Sequence, residues 1–117
     1  MKKSKEVETI SVRLNIILKE RFDVFCKKSR ISVTHAINIL IDETIKKNRI
    51  PFQINKLIEN SLNDSENLLS SGNGRIGIEI ETETKRRFRC ICEESGYSMG
   101  MVIRVWMQRC IQTQKLI

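Results

Sequence analysis

Shifted on itself by 66 positions, the chain repeats. The shift sets Phe88 on Phe22 and, without a gap, matches Ile10 with Ile76, Lys19 with Lys85, Arg21 with Arg87, Cys26 with Cys92 and Ser29 with Ser95. It also matches Ser32 with Ser98, Ile37 with Ile103 and Ile45 with Ile111. A duplication of this kind requires both copies to fold alike, which removes most of the topologies open to 117 residues.

Each copy begins with strict alternation. Thr9-Ile10-Ser11-Val12-Arg13-Leu14 sets Ile10, Val12 and Leu14 on one face and Thr9, Ser11 and Arg13 on the other, and Arg75-Ile76-Gly77-Ile78-Glu79-Ile80 repeats the pattern. A single short strand leaves its backbone donors and acceptors unpaired, so each of these needs the other or a second chain.

The period then changes from strand to helix. Asn15 is a candidate N-cap, and Leu18, Phe22, Phe25 and Cys26 recur at three- and four-residue spacing, predicting a helix over about 16–28. The turn 29–31 leads to Ser32, a good N-cap. Beyond it Val33, Ala36, Ile37, Leu40, Ile41, Thr44 and Ile45, widened by Ile39, make a stripe too broad to be buried against one helix. In the second copy Glu81 or Thr82 opens the first helix, Phe88, Ile91 and Cys92 point inward, and Gly96 ends it. Ser98 caps the next, whose core stripe is Met99, Val102, Ile103, Trp106, Met107, Cys110 and Ile111. Trp106 stands where the first copy has Leu40, which predicts a core role and not a platform for stacking bases.

The parts are expected to divide as a basic, mobile arm over 1–8, a first unit over 9–47, a connector over 48–73 and a second unit over 74–117. In the connector Pro51 stops the preceding helix. Ile54, Leu57, Ile58 and Leu62 are spaced for one short amphipathic helix, and the run 70–74 reads as flexible linker.

Charge narrows the class of partner. The chain carries a formal +7, and the excess lies in the copies: residues 1–47 hold 11 basic and 6 acidic side chains, 48–71 hold 2 and 3, and 72–117 hold 8 and 5. That balance suits a polyanion. No apolar run approaches the ~20 residues of a membrane span, and the start lacks the apolar core of a signal peptide, so no membrane partner and a cytoplasmic location are expected. Cys26, Cys90, Cys92 and Cys110 lack metal or redox spacing and read as small buried apolar side chains. His35 has no second ligand or nucleophile nearby and reads as solvated or beside a phosphate. Without paired carboxylates, a nucleophile with a base, or a metal cluster, no catalytic residues, metal ligands or cofactor are expected, and the chain does not read as an enzyme.

Strand, helix, turn and helix in about 40 residues, with TISVRL leading into LKERF and SVTHAINILI, resembles the ribbon-helix-helix proteins, among them the Arc and MetJ repressors and the RelB/DinJ-type antitoxins. Residues 49–52 (RIPF) resemble the tail that follows the second helix in the antitoxin branch. The resemblance implies a mainly α fold with a two-stranded antiparallel β-ribbon, the two repeats forming a pseudo-dimer within one chain. It also implies double-stranded DNA as partner, the ribbon entering the major groove. There Thr9, Ser11, Arg13, Arg75, Gly77 and Glu79 would face the bases, with Arg13 the main base contact and Arg75, at its strand's start, nearer a phosphate. The helix N-termini at Ser32, Val33 and Thr34 and at Ser98, Met99 and Gly100 would clamp phosphates. A sequence-specific transcriptional repressor is the leading reading, with self-association on DNA open to it. An antitoxin that neutralises a partner toxin through the connector, or an accessory protein of plasmid conjugation or partition such as TraY, are the alternatives. Glu79 and Glu81 depart from the family's usual neutral or basic strand, which suggests that repeat two pairs more than it reads, with Arg13 meeting Glu79 across the strands.

Overall fold

A computed structural model describes residues 6–62 and 72–116. The element order is β1 (Val7–Leu14), α1 (Ile16–Lys28), α2 (Val33–Lys47), α3 (Ile54–Leu62), β2 (Gly74–Glu81), α4 (Thr82–Glu94) and α5 (Met99–Thr113). The bounds of α4 and α5 are those of α1 and α2 displaced by 66 residues. The described residues are therefore mainly helical, with a two-stranded antiparallel sheet formed by β1 and β2.

The helix ends follow from local chemistry. Asn15 Oδ1 accepts from the Ile17 amide at 2.8 Å, while Ser32 Oγ and Ser98 Oγ each accept from the amide three residues on at 3.1 Å. Glu81 occupies the corresponding position before α4 but makes no side-chain cap bond. Asn48 after α2 and Gln114 after α5 both end their helices in the left-handed conformation. Gly96, at φ 89°, takes the turn after α4.

Strand register is set by which faces must be buried. Ile10, Val12, Leu14, Ile78 and Ile80 turn inward, and β1 pairs with β2 so that Ser11 lies opposite Gly77, Thr9 opposite Glu79 and Arg13 opposite Arg75. Ser11 and Gly77 are themselves 66 apart, so the register centres on a pair of equivalent positions. Arg13 therefore does not meet Glu79 across the strands. In an antiparallel pair centred on residues 11 and 77, those two equivalent positions fall at opposite ends. The strand also begins earlier than the alternation alone predicted: Val7 and Glu8, assigned to the mobile arm, belong to β1. Lys2, Lys3 and Lys5 lie outside the described residues, as do Ser70 and Ser71 of the expected linker. The short connector helix is present as α3.

Beneath the ribbon the helices share one core. Phe22 and Phe88, Cys26 and Cys92, Leu40 and Trp106, and Ile37 and Ile103 are all buried, each pair at equivalent positions. Trp106 packs its ring 5.5 Å from that of Phe22 and donates its indole N–H to the Leu116 carbonyl at 2.8 Å. Thr44, buried on α2, donates its hydroxyl back to the Leu40 carbonyl at 2.8 Å, which satisfies a polar group inside the stripe. Cys90 is exposed, contrary to the expectation that all four cysteines are buried. It is two residues from Cys92, which puts it on another side of α4.

Candidate nucleic-acid interface

With three isoleucines, a valine and a leucine of the two strands facing inward, the intervening side chains must face out. Thr9, Ser11, Arg13, Arg75, Gly77 and Glu79 are all exposed. The ribbon so presents six of the predicted base-facing positions on a single surface, in three cross-strand pairs: Thr9 with Glu79, Ser11 with Gly77, and Arg13 with Arg75.

Two glycines let the strands close at the end that carries the arginines. A β-carbon on Gly74 would stand 2.8 Å from the Leu14 carbonyl oxygen, and one on Gly72 would stand 2.9 Å from the Asn15 α-carbon. Any larger residue there would force main chain apart. At the ribbon centre the added carbon on Gly77 would meet only the Thr9 methyl, at 3.4 Å, so the absence of a side chain there is not demanded by packing.

The helix N-termini flank the ribbon. Ser32 and Thr34 are exposed, with Val33 half-buried beside them, and Val33 and Thr34 line one depression with Ile76 and Gly77 of β2. On the other side Ser98 is exposed and Met99 and Gly100 are half-buried, and a β-carbon on Gly100 would come within 4.0 Å of Val12 in β1. Both predicted clamp segments thus lie next to the strands. His35 is exposed, with its amide bonded to the Ser32 cap.

Two cations to which the sequence assigned no role buttress the strands. Arg104, half-buried on α5, donates from Nη1 to the Arg13 carbonyl at 3.0 Å; its burial lowers the guanidinium's affinity for its proton. Lys85, on α4, donates to the Thr9 carbonyl at 3.3 Å and reaches Glu8 Oε1 at 3.4 Å. The Glu8 carboxyl is held below its ordinary range, first by a side-chain hydrogen bond with Thr82 and then by Lys85. A sequence signal for Arg104 existed: the 66-residue shift places it on Asn38, so one copy gains a charge that the other lacks. Only the contact with the strand shows where that charge is used.

Among the described residues no three or more His, Cys, Asp or Glu side chains are grouped to hold a metal ion, and no helix is long and apolar enough to cross a membrane. Comparison with protein-family models, with curated proteins and with solved structures gives no match.

Proposed function

We propose that this chain is a sequence-specific DNA-binding protein, a transcriptional repressor whose two ribbon-helix-helix repeats act as a pseudo-dimer and insert the β1–β2 ribbon into the major groove. The observation that carries the reading is the exposed six-residue face of a two-stranded antiparallel ribbon on a chain of net charge +7. A ribbon of this width fits the major groove, where base edges present a distinct donor and acceptor pattern for every base pair. Side chains of Thr9, Ser11 and Arg13 from one strand and Arg75 and Glu79 from the other supply hydroxyls, guanidinium forks and a carboxylate for that pattern, while Gly77 leaves the centre of its strand bare for close approach. The helix starts at Ser32–Thr34 and Ser98–Gly100 support phosphate contacts on either side, which would set the depth of the ribbon without reading sequence.

The pseudo-dimer draws support from helix bounds that repeat after 66 residues and from a register centred on two equivalent positions. Selection from a randomised duplex pool, followed by titration at several salt concentrations, tests the reading. One sequence class should be enriched at moderate salt, and log affinity should fall with log salt by roughly 0.9 for each phosphate neutralised. Absence of enrichment, or binding indifferent to salt, would refute it.

A further inference from the structure

The outward face of the ribbon has its charges sorted by end. Arg13 and Arg75 stand directly opposite each other, so the register sets Arg75 level with the base-facing Arg13 and not, as its place at the strand's start suggested, nearer a phosphate; Glu79 faces Thr9 and Glu81 faces Val7 near the other end, and all four charged side chains are exposed. A third guanidinium joins the arginine end, since Arg104 Nη1 bonds the Arg13 carbonyl at 3.0 Å. Gly100 leaves it room: a β-carbon there would sit 3.2 Å from Arg104 Nη1. The duplication makes the sorting visible as substitutions. Sixty-six residues before Arg75, Glu79 and Arg104 stand Thr9, Arg13 and Asn38. On a backbone arranged alike in both copies, each of the three differences moves positive charge toward one end or negative charge toward the other. Two like charges directly opposite on adjacent strands destabilise a ribbon, so Arg13 and Arg75 are not paired for the fold's sake.

We propose that the ribbon is a polarised reader: Arg13 and Arg75 form a guanine-binding end, Glu79 forms an end that accepts from the cytosine amino group, and one chain occupies an asymmetric DNA site in one orientation. The inference rests on the DNA-binding reading above. An arginine fork matches guanine O6 and N7, both acceptors, and a carboxylate matches the cytosine N4 amino group while being repelled by phosphates on either side. Arg104 is a positioning residue, fixing the main chain that carries Arg13.

The test is selection from duplexes whose randomised core accommodates a single ribbon. The full-length chain should enrich a non-palindromic site with guanines concentrated on one side. The variant Arg75→Thr/Gly77→Ser/Glu79→Arg gives both strands the order Thr, Ser, Arg, and it should shift the enriched site to a palindrome. Glu79→Arg alone, a single exposed change, should add guanine preference on the second side and keeps the test decisive if the triple variant does not fold. Arg13→Ala should lose roughly 5- to 150-fold on the selected site and little on random DNA. Equal guanine preference on both sides of the wild-type site, or a Glu79→Arg protein that keeps the wild-type asymmetry, would overturn polarity and leave DNA binding standing. No enriched sequence with any of these proteins would overturn both.

Discussion

Replacing Trp106 by leucine, the residue at the equivalent position of the first copy, asks how far the second half of the core depends on one side chain. Trp106 is fully buried, its ring is tilted 60° against Phe22, and its N–H is bonded to Leu116. The substitution removes the aromatic pair, about 0.5–1.5 kcal/mol, and a hydrogen bond worth a similar net amount. It also leaves a partial cavity that leucine fills better than alanine would. Since full truncation of a buried tryptophan costs roughly 3–5 kcal/mol, the leucine variant should lose about 2–4. Trp106→Phe, which keeps a ring, should lose less, and Trp106→Ala should lose most. Urea unfolding followed by far-ultraviolet circular dichroism reads this without needing the tryptophan signal. The midpoint should fall by about 1–2 M with an unchanged slope. On the DNA-binding reading proposed above, affinity for the selected site should hold in conditions where each variant remains folded. A leucine variant within ~0.5 kcal/mol of wild type would show that the indole is not a principal support of the core. Loss of DNA binding at unchanged stability would assign Trp106 a base-stacking role in place of the core role.

Thiol labelling at pH 8 should modify Cys90 quickly and the other three cysteines only at the rate of unfolding. Burial pushes the Cys26 thiol up to about 11 and those of Cys92 and Cys110 to about 12, so almost no thiolate forms at the pH of the assay; two or more fast thiols would contradict the packing described. Gly74→Ala should lower stability by roughly 1–3 kcal/mol, because the new carbon would lie 2.8 Å from the Leu14 carbonyl oxygen and main chain, not a flexible side chain, must yield. Thermal unfolding checks it, and an unchanged melting temperature would mean the ribbon end is looser than its spacing indicates.

Helical periodicity and caps are strong local signals, and they carry furthest: Asn15, Ser32 and Ser98 cap the helices they were expected to cap, and the centre of each apolar stripe is buried, with Val33, Ile39, Ile45, Met99 and Ile111 half-buried at its margins. Register is a different kind of information. Alternation tells which face of a strand is buried but not which residue lies opposite which, since any slip by two preserves the faces. Pairing Arg13 with Glu79 satisfied charge but not the symmetry of the duplication, under which equivalent positions flank the centre at Ser11 and Gly77. The added charge of Arg104 is visible in the comparison of the two copies, but where it acts is not, for a related reason. Its role depends on α5 approaching β1 from a distance of 91 residues in sequence, and nothing local marks that approach. Cys90 departs from the expectation because the lack of metal or redox spacing decided it for all four cysteines alike, although a two-residue offset from Cys92 puts Cys90 on another side of the helix.

The connector bears on which partner this chain is built for. An antitoxin reading would assign residues 48–70 to a partner toxin, and residues 49–52 are its strongest support. Yet Ile54 is buried, and Ile50, Phe52, Leu57 and Ile58 pack partly against the same core as the helices. The Arg109 guanidinium of α5 lies 5.9 Å from the centre of the Phe52 ring. To bind a toxin through these side chains the chain would first have to release them, exposing apolar surface at roughly 25 cal/mol per Å², a cost subtracted once from the overall toxin affinity. DNA binding through the ribbon requires no such release, because Thr9, Ser11, Arg13, Arg75, Gly77 and Glu79 are already exposed. The same docking places α3 against α5, the helix whose Arg104 bonds the Arg13 carbonyl of β1, so the described part of the connector is packed into the fold and is not a free arm.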